Sequence, residues 1–139
     1  MARSKKSRSQ LQSQFTILGK HIRQPLNRLE SFPKPDHVQT VTLTSSEFTS
    51  LCPVTGQPDF QTLVIEYAPR EKCVESKSLK LYLWTYREQG VFCEALSAKI
   101  AQDIVAATDC TWCRVTIDQV ARGGIGIKAM SEIKNVAVG

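Results

Sequence analysis

Histidine is almost missing from this chain of 139 residues, which has two, His21 and His37. Both precede the first regular hydrophobic pattern. A zinc centre with histidine ligands in the body of the chain is therefore excluded, because zinc needs three or four protein donors. Long apolar runs are missing too. The longest are as short as Ile104-Val105-Ala106-Ala107, far below the ~20 residues of a membrane span. The N-terminal stretch has no apolar core of the kind a secretory leader carries, so none is expected. The cysteine count is odd, at five. Without a leader, that argues against a disulfide scaffold and for a reducing compartment, the cytoplasm. The length is that of one domain, which rules out a two-lobed dehydrogenase with separate cofactor and substrate domains.

Acidic residues are nearly missing from one end only. Residues 1–30 hold seven bases and a single acid, Glu30, whereas residues 31–139 sum to a net charge of −1. The basicity thus belongs to a tail. A basic tail can meet RNA or a membrane surface, or can simply be a solvated end. The body lacks the basic surface that RNA contacts need. No stable nucleic-acid partner and no membrane association are expected.

Three segments follow from the pattern. Residues 1–14 read as a basic disordered tail. Residues 15–37, with Pro25, Pro33 and Pro35, read as an extended arm, and residues 38–139 as one folded domain. Val41 and Leu43 alternate with threonines, the mark of a half-buried strand. SSEFTSLCPVTGQPDF then reads as a loop punctuated by Pro53, Gly56 and Pro58. Leu63, Ile65 and Tyr67 share one face of a second strand, and residues 68–72 form a turn. Residues 75–88 fit both helical spacing and alternation, and the helix is favoured by their length and their Leu, Lys and Glu content. In residues 92–107, Phe92, Leu96, Ile100 and Ile104 form a helical stripe. Two strands close the chain, with Cys113, Val115 and Ile117 on one face of the first and Ile125, Ile127 and Ala129 on one face of the second. The order β-β-α-α-β-β predicts an α+β domain, an antiparallel sheet with two helices on one face.

Several residue groups suggest chemistry. Gly124-x-Gly126-x-x-Ala129 formally resembles a dinucleotide fingerprint. It lacks the helix that must follow and the acid about 20 residues on, so the glycines are read as serving a bulge or a close approach. Cys110 and Cys113 form a lone C-x-x-C. Residues i and i+3 of a strand point to opposite faces, so the pair reads as small packing residues. Cys52 lies in the Pro/Gly loop with Asp59 seven residues on. A loop thiol with an acid nearby can be a nucleophile with a proton carrier, or simply a buried small residue. Glu75 suits a helix start. Lys77 and Lys80 share a helix face and, with Arg122, could hold phosphates, or form a solvated face.

The blocks Leu51-Cys-Pro-Val-Thr-Gly-Gln-Pro-Asp-Phe60 and Glu75-Ser-Lys-Ser-Leu-Lys-Leu-Tyr82 carry a resemblance. So do Leu29-Glu-Ser-Phe-Pro33, Phe48-Thr-Ser-Leu51 and Arg122-Gly-Gly-Ile125. In these blocks, over about residues 16–130, the chain resembles the short, single-domain NADPH-dependent 7-cyano-7-deazaguanine reductases, the nitrile reductases of queuosine biosynthesis. The resemblance implies a tunnelling fold whose subunits join their sheets into a barrel, as a decamer of two pentamers with sites between neighbours. It implies that Cys52 is the nucleophile that forms a thioimide with the nitrile, and that Asp59 is the proton donor. Val74, Glu75, Ser76, Cys93 and Glu94 correspond to substrate-binding positions, with Glu94 accepting hydrogen bonds from the base. Lys77, Lys80 and Arg122 become candidates for NADPH contacts. No metal is implied.

One position departs from the family, which has histidine where this chain has Cys93. The loss removes a substrate contact and a possible proton carrier. The alternative within the resemblance is an NADPH-independent amidinotransferase acting on cyano-deazaguanine in tRNA with the same Cys/Asp pair. The intact ESKSLK segment favours the reductase.

Overall fold

Pro58–Ala68 alternates without a break. Asp59, Gln61, Leu63, Ile65 and Tyr67 are buried, while Phe60 and Thr62 between them are exposed. This period of two builds the central strand of a sheet covered on one face. The computed structural model describes residues 28–136. Its strands are β1 (Ser31–Pro33), β2 (Val41–Leu51), β3 (Pro58–Ala68), β4 (Lys72–Val74), β5 (Trp112–Arg122) and β6 (Ile125–Lys134). Its helices are α1 (Ser76–Trp84) and α2 (Cys93–Thr108). The main sheet is antiparallel in the order β2-β3-β5-β6, and β1 pairs with β4 in a separate two-stranded ribbon.

The second helix forms as its spacing predicts, whereas α1 stops at Trp84, short of the 75–88 read for it, and a turn follows. Leu96, Ile100 and Ile104 of α2 are fully buried and meet Leu63, Ile65, Tyr67, Val115 and Ile117 of the sheet in one core. Burying each such aliphatic side chain stabilises the fold by roughly 1.5–3 kcal/mol. Phe92, expected in that stripe, is instead 57% exposed. It is the residue at which α2 begins, with extended backbone, so helical spacing does not apply to it. Tyr82 and Tyr86 share a hydroxyl contact of 2.9 Å, and Tyr82 donates to Asp103 at 2.5 Å, tying the segment of α1 to α2.

Other expectations need correction. The loop read over residues 45–60 is mostly strand: β2 runs on to Leu51 and β3 begins at Pro58. The polar run Thr44–Glu47 hides the pattern, and a register shift between Ser45 and Phe48 breaks its period. Such a bulge turns polar and apolar residues out of phase. The tail, 1–14, and residues 15–27 of the arm lie outside the described residues. The end of the arm forms β1, and β4 adds a second short strand that the β-β-α-α-β-β order did not contain. Cys110 precedes β5, so strand alternation does not govern it. It contacts Cys113, and both are fully buried free thiols.

Candidate active site

Cys52 follows β2 directly, and two constraints fix it. The first is at the end of the strand. Leu51 N donates to Gln89 O at 2.9 Å, and Val91 N donates to Leu51 O at 3.1 Å, so the loop after α1 grips the strand end from both sides. The second is a closed turn. Cys52 N donates to Gln57 O at 2.8 Å and Gly56 N to Cys52 O at 2.9 Å. Gly56 has φ +70°, which glycine adopts without strain. The turn aims donors at sulfur. The Thr55 hydroxyl, the backbone N–H groups of Thr55 and Val54, and the Arg122 guanidinium together lower the Cys52 thiol to about 6. At neutral pH the nucleophilic thiolate is therefore the main form.

Asp59 is brought to the same place by strand alternation. It lies on the helix-covered face of β3, is 6% exposed, and its Oδ1 is 3.2 Å from Arg122 Nη1. Arg122 reaches it from the far end of β5. There a register shift between Gln119 and Arg122 and a hairpin with left-handed Gly123 and Gly124 re-aim the strand end. The bulge inferred for the glycine-rich segment is thus present. The same Nη1 approaches Gln57 Oε1 at 3.4 Å and Thr55 Oγ1 at 3.5 Å.

Cys93 and Glu94 open α2. The Cys93 thiol is buried and donates to Glu94 Oε2 at 3.5 Å. Burial first, then the Glu94 carboxylate and more weakly the Asp59 charge, push that thiol up to about 11. Cys93 is thus held as a neutral thiol. Glu94 itself is exposed in the first helical turn, where the helix dipole favours a carboxylate. Its carboxylate is open to a ligand.

The Val74–Lys80 segment is built separately. Val74 N donates to the Tyr67 hydroxyl at 2.8 Å, and Glu75 N to Glu30 O at 2.8 Å. Both Glu75 carboxylate oxygens accept from α1, one from Lys77 N and one from Ser78 N, each at 2.7 Å. The helix-start role of Glu75 is therefore filled. Ser76 and Lys80 line a cavity of about 600 Å³ between α1 and β2, whose wall also holds Phe48, Trp84 and Arg87. Arg122 is not part of that wall. It stands at the Cys52 turn.

Sequence reasoning gave no site role to Thr55, Gln57, Ser50, Gln61 or Gln119, and read Gly90 only as a helix breaker. The Gln61 amide bonds the Ser50 hydroxyl at 3.2 Å and Gln119 Oε1 at 3.0 Å, a buried polar chain on the face that also carries Asp59. Gln61 had a signal, since it continues the buried period of Leu63, Ile65 and Tyr67. Gly90 had none, because its role is a backbone contact with the turn. Among the described residues no cluster of His, Cys, Asp and Glu could hold a metal ion.

Comparisons with known proteins agree on one family. Residues 58–137 match the family described as "QueF-like protein". A protein of Syntrophus aciditrophicus named NADPH-dependent 7-cyano-7-deazaguanine reductase is 48% identical over 124 residues, covering 88% of each chain. One of the same name from Thioalkalivibrio sulfidiphilus is 48% identical, over 78% of this chain and 86% of its own. One from Anaeromyxobacter sp. is 50% identical, over 73% and 84%. Among solved structures, the archaeosine synthase QueF-Like in its apo form aligns with a TM-score of 0.65 and 21% identity, over 71% of this chain and 96% of that one. At that identity the likeness extends to the fold alone.

Proposed function

The chain belongs to the family of NADPH-dependent 7-cyano-7-deazaguanine reductases, and from that premise we propose how its own residues carry the reaction. The enzyme is an oxidoreductase that reduces the nitrile of 7-cyano-7-deazaguanine with NADPH, a step of queuosine biosynthesis. The observation that carries the residue assignment is the turn of residues 52–57, where Arg122 meets both Cys52 and Asp59. The thiolate adds to the nitrile carbon. A C–S bond forms, one C–N π bond breaks, and Asp59 relays to nitrogen a proton taken up from water, leaving a thioimide. NADPH supplies hydride for each of the two reductions. After the first, the C–S bond breaks and Cys52 leaves as thiolate, giving an imine. The second, with a further proton from water, takes the imine to 7-aminomethyl-7-deazaguanine. Covalent capture helps because a thioimide accepts hydride more readily than a free nitrile.

Glu94 is the anchor for the base. Its open carboxylate accepts from ring and exocyclic N–H groups, which discriminates strongly against bases that lack them. Cys93 fills the space beside it as a neutral side chain. Val74, Glu75 and Ser76 form a further substrate-binding segment. The Glu75 carboxylate, N–H and carbonyl are all bonded within the protein, so the exposed Ser76 is the group of this segment that contacts substrate. The cavity between α1 and β2 suits a dinucleotide. Lys80 and Arg87 offer cations for phosphates, Ser76 a hydroxyl, and Trp84 a planar surface. Lys80 would hold NADPH there, with Lys77, which is not part of that wall, and Arg122 at the Cys52 turn as further candidate contacts.

Neighbouring subunits complete the site. β2 and β6 are edge strands of 11 and 10 residues. Edges of this length are normally covered or paired. Joining them between copies extends the sheet into the barrel of a tunnelling fold, in a decamer of two pentamers. The five free thiols suit the cytoplasm. The assignment is tested by intact-mass measurement after mixing with 7-cyano-7-deazaguanine in the absence of NADPH. The wild type gains the full mass of the substrate and Cys52→Ala gains nothing. An adduct that persists in the variant would move the nucleophile elsewhere.

A further inference from the structure

The cavity between α1 and β2 carries its cations on one stripe. Ser76, Lys80 and Trp84 follow at intervals of four along α1, and Arg87 comes three residues later. Residues three and four apart share a helix face. Past Trp84 the chain keeps turning, but more tightly. Thr85 N donates to Tyr82 O at 3.1 Å, Tyr86 N to Leu83 O at 3.2 Å and Arg87 N to Trp84 O at 3.2 Å. Bonds between residues i and i+3 wind the chain so that their side chains eclipse. Arg87 is therefore set over Trp84, its guanidinium carbon 5.3 Å from the ring centroid. Trp84 is half-buried and Arg87 is exposed. Among the described residues, neither Lys80 nor Arg87 makes an ion pair with a carboxylate. Glu47 is the one acid among the described wall residues. It comes from β2 rather than from this stripe, and it can accept from a ribose hydroxyl.

We propose that Arg87, braced on Trp84, binds the 2′-phosphate of NADPH and so sets the choice of NADPH over NADH. The inference rests on the reading of this cavity as the cofactor site, and it adds which residue selects the cofactor. A guanidinium stacked on an aromatic ring gives the ring its face, while its N–H groups lie in its own plane and point outward. Two of them match two phosphate oxygens. Stacking also restricts the side chain before the ligand arrives, which lowers the ordering cost of binding. In dinucleotide sites of another fold an arginine takes this role. Lys80 is a separate handle. Seven residues at about 1.5 Å each put it about 10 Å from Arg87 along the helix, too far for both to clasp one phosphate. Lys80 thus meets the pyrophosphate, which both cofactors share, and Arg87 meets the one group that NADPH alone has.

The test is calorimetric binding of NADPH and of NADH to the full chain without nitrile, so that nothing turns over. The wild type should bind NADPH the more tightly. Arg87→Met should weaken NADPH roughly ten- to hundredfold, the worth of hydrogen bonds to a charged group, and leave NADH nearly unchanged. Adenosine 2′,5′-bisphosphate against 5′-AMP should repeat that result, because the pair differs by the same phosphate. Trp84→Leu, which removes the brace, should narrow the ratio of NADPH to NADH affinity; an unchanged ratio would overturn the part given to Trp84. Lys80→Met should weaken both cofactors alike. If Lys80→Met does so while Arg87→Met weakens both equally, or neither, the cavity holds the cofactor and selection by Arg87 is overturned. If neither variant changes either affinity, the cavity is not the cofactor site, and that reading falls together with the inference.

Discussion

Gly90→Ala is a sharp perturbation because it adds one methyl group at the back of the catalytic turn. A Cβ at residue 90 would lie 3.2 Å from Pro53 Cα and 3.6 Å from Pro53 Cβ. Carbon atoms prefer about 3.5–4.0 Å, so one side must yield by roughly 0.3–0.8 Å. Residue 90 cannot retreat freely, because its neighbours Gln89 and Val91 both hydrogen-bond Leu51. Pro53 cannot rotate away, because its ring fixes φ and its neighbour is Cys52. The strain therefore passes to the nucleophile. A misplacement of about 1 Å can cost about a hundredfold in rate, so a few tenths of an ångström predicts roughly four- to tenfold slower thioimide formation. The added methyl also overpacks the site by about 1 kcal/mol or more, which in a domain of this size lowers Tm by about 3–5 °C. Stopped-flow measurement of adduct formation without NADPH, beside a thermal melt, separates the two effects. A lowered Tm with an unchanged adduct rate would refute the claim that this contact sets the position of Cys52.

Further outcomes follow from the same geometry. Asp59→Asn should still bind substrate yet reduce it poorly, since the amide keeps the shape and loses the proton carrier; unchanged turnover would remove Asp59 from the chemistry. Glu94→Gln should weaken binding of a nitrile-free 7-deazaguanine analogue by about 1.5–3 kcal/mol, the worth of hydrogen bonds to a charged group; calorimetry showing equal affinities would contradict the anchor role. Because the Cys52 thiol is lowered to about 6, its thiolate is populated above that pH and lost below it. The rate of adduct formation should accordingly be flat from neutral pH upward and fall as the medium is acidified through pH 6. Tyr67→Phe leaves the buried Val74 N–H without its partner and should destabilise the domain by about 1–3 kcal/mol, read by urea unfolding.

Much of the fold was legible from period alone. The strand faces of Leu63, Ile65 and Tyr67 and of Cys113, Val115 and Ile117, and the helical stripe of Leu96, Ile100 and Ile104, are all buried as their spacing requires. The second half of β2 was not legible, because a bulge and four polar residues in a row erase its alternation. The short strands β1 and β4 were not legible either. Three residues carry no period, and their pairing joins segments about 40 residues apart. Within the site, the motif around Cys52 marked the proposed nucleophile and acid, since both lie in one short loop-and-strand segment. The contact of Arg122 with that segment spans 67 residues of sequence; the glycines pointed to a bulge beside Arg122, but no local pattern names the segment it reaches. Glu75 shows the opposite case. Its plain reading, a helix-start carboxylate, is what the structure contains.

The central claim is that this chain reduces a nitrile with NADPH through Cys52. Its most direct test follows NADPH absorbance after 7-cyano-7-deazaguanine is added to the wild type and to Cys52→Ala, with the product identified by mass. The account predicts that the wild type consumes NADPH until each nitrile has become a primary aminomethyl group, while the variant consumes none. Steady absorbance in the wild type, or equal consumption by the variant, would contradict it.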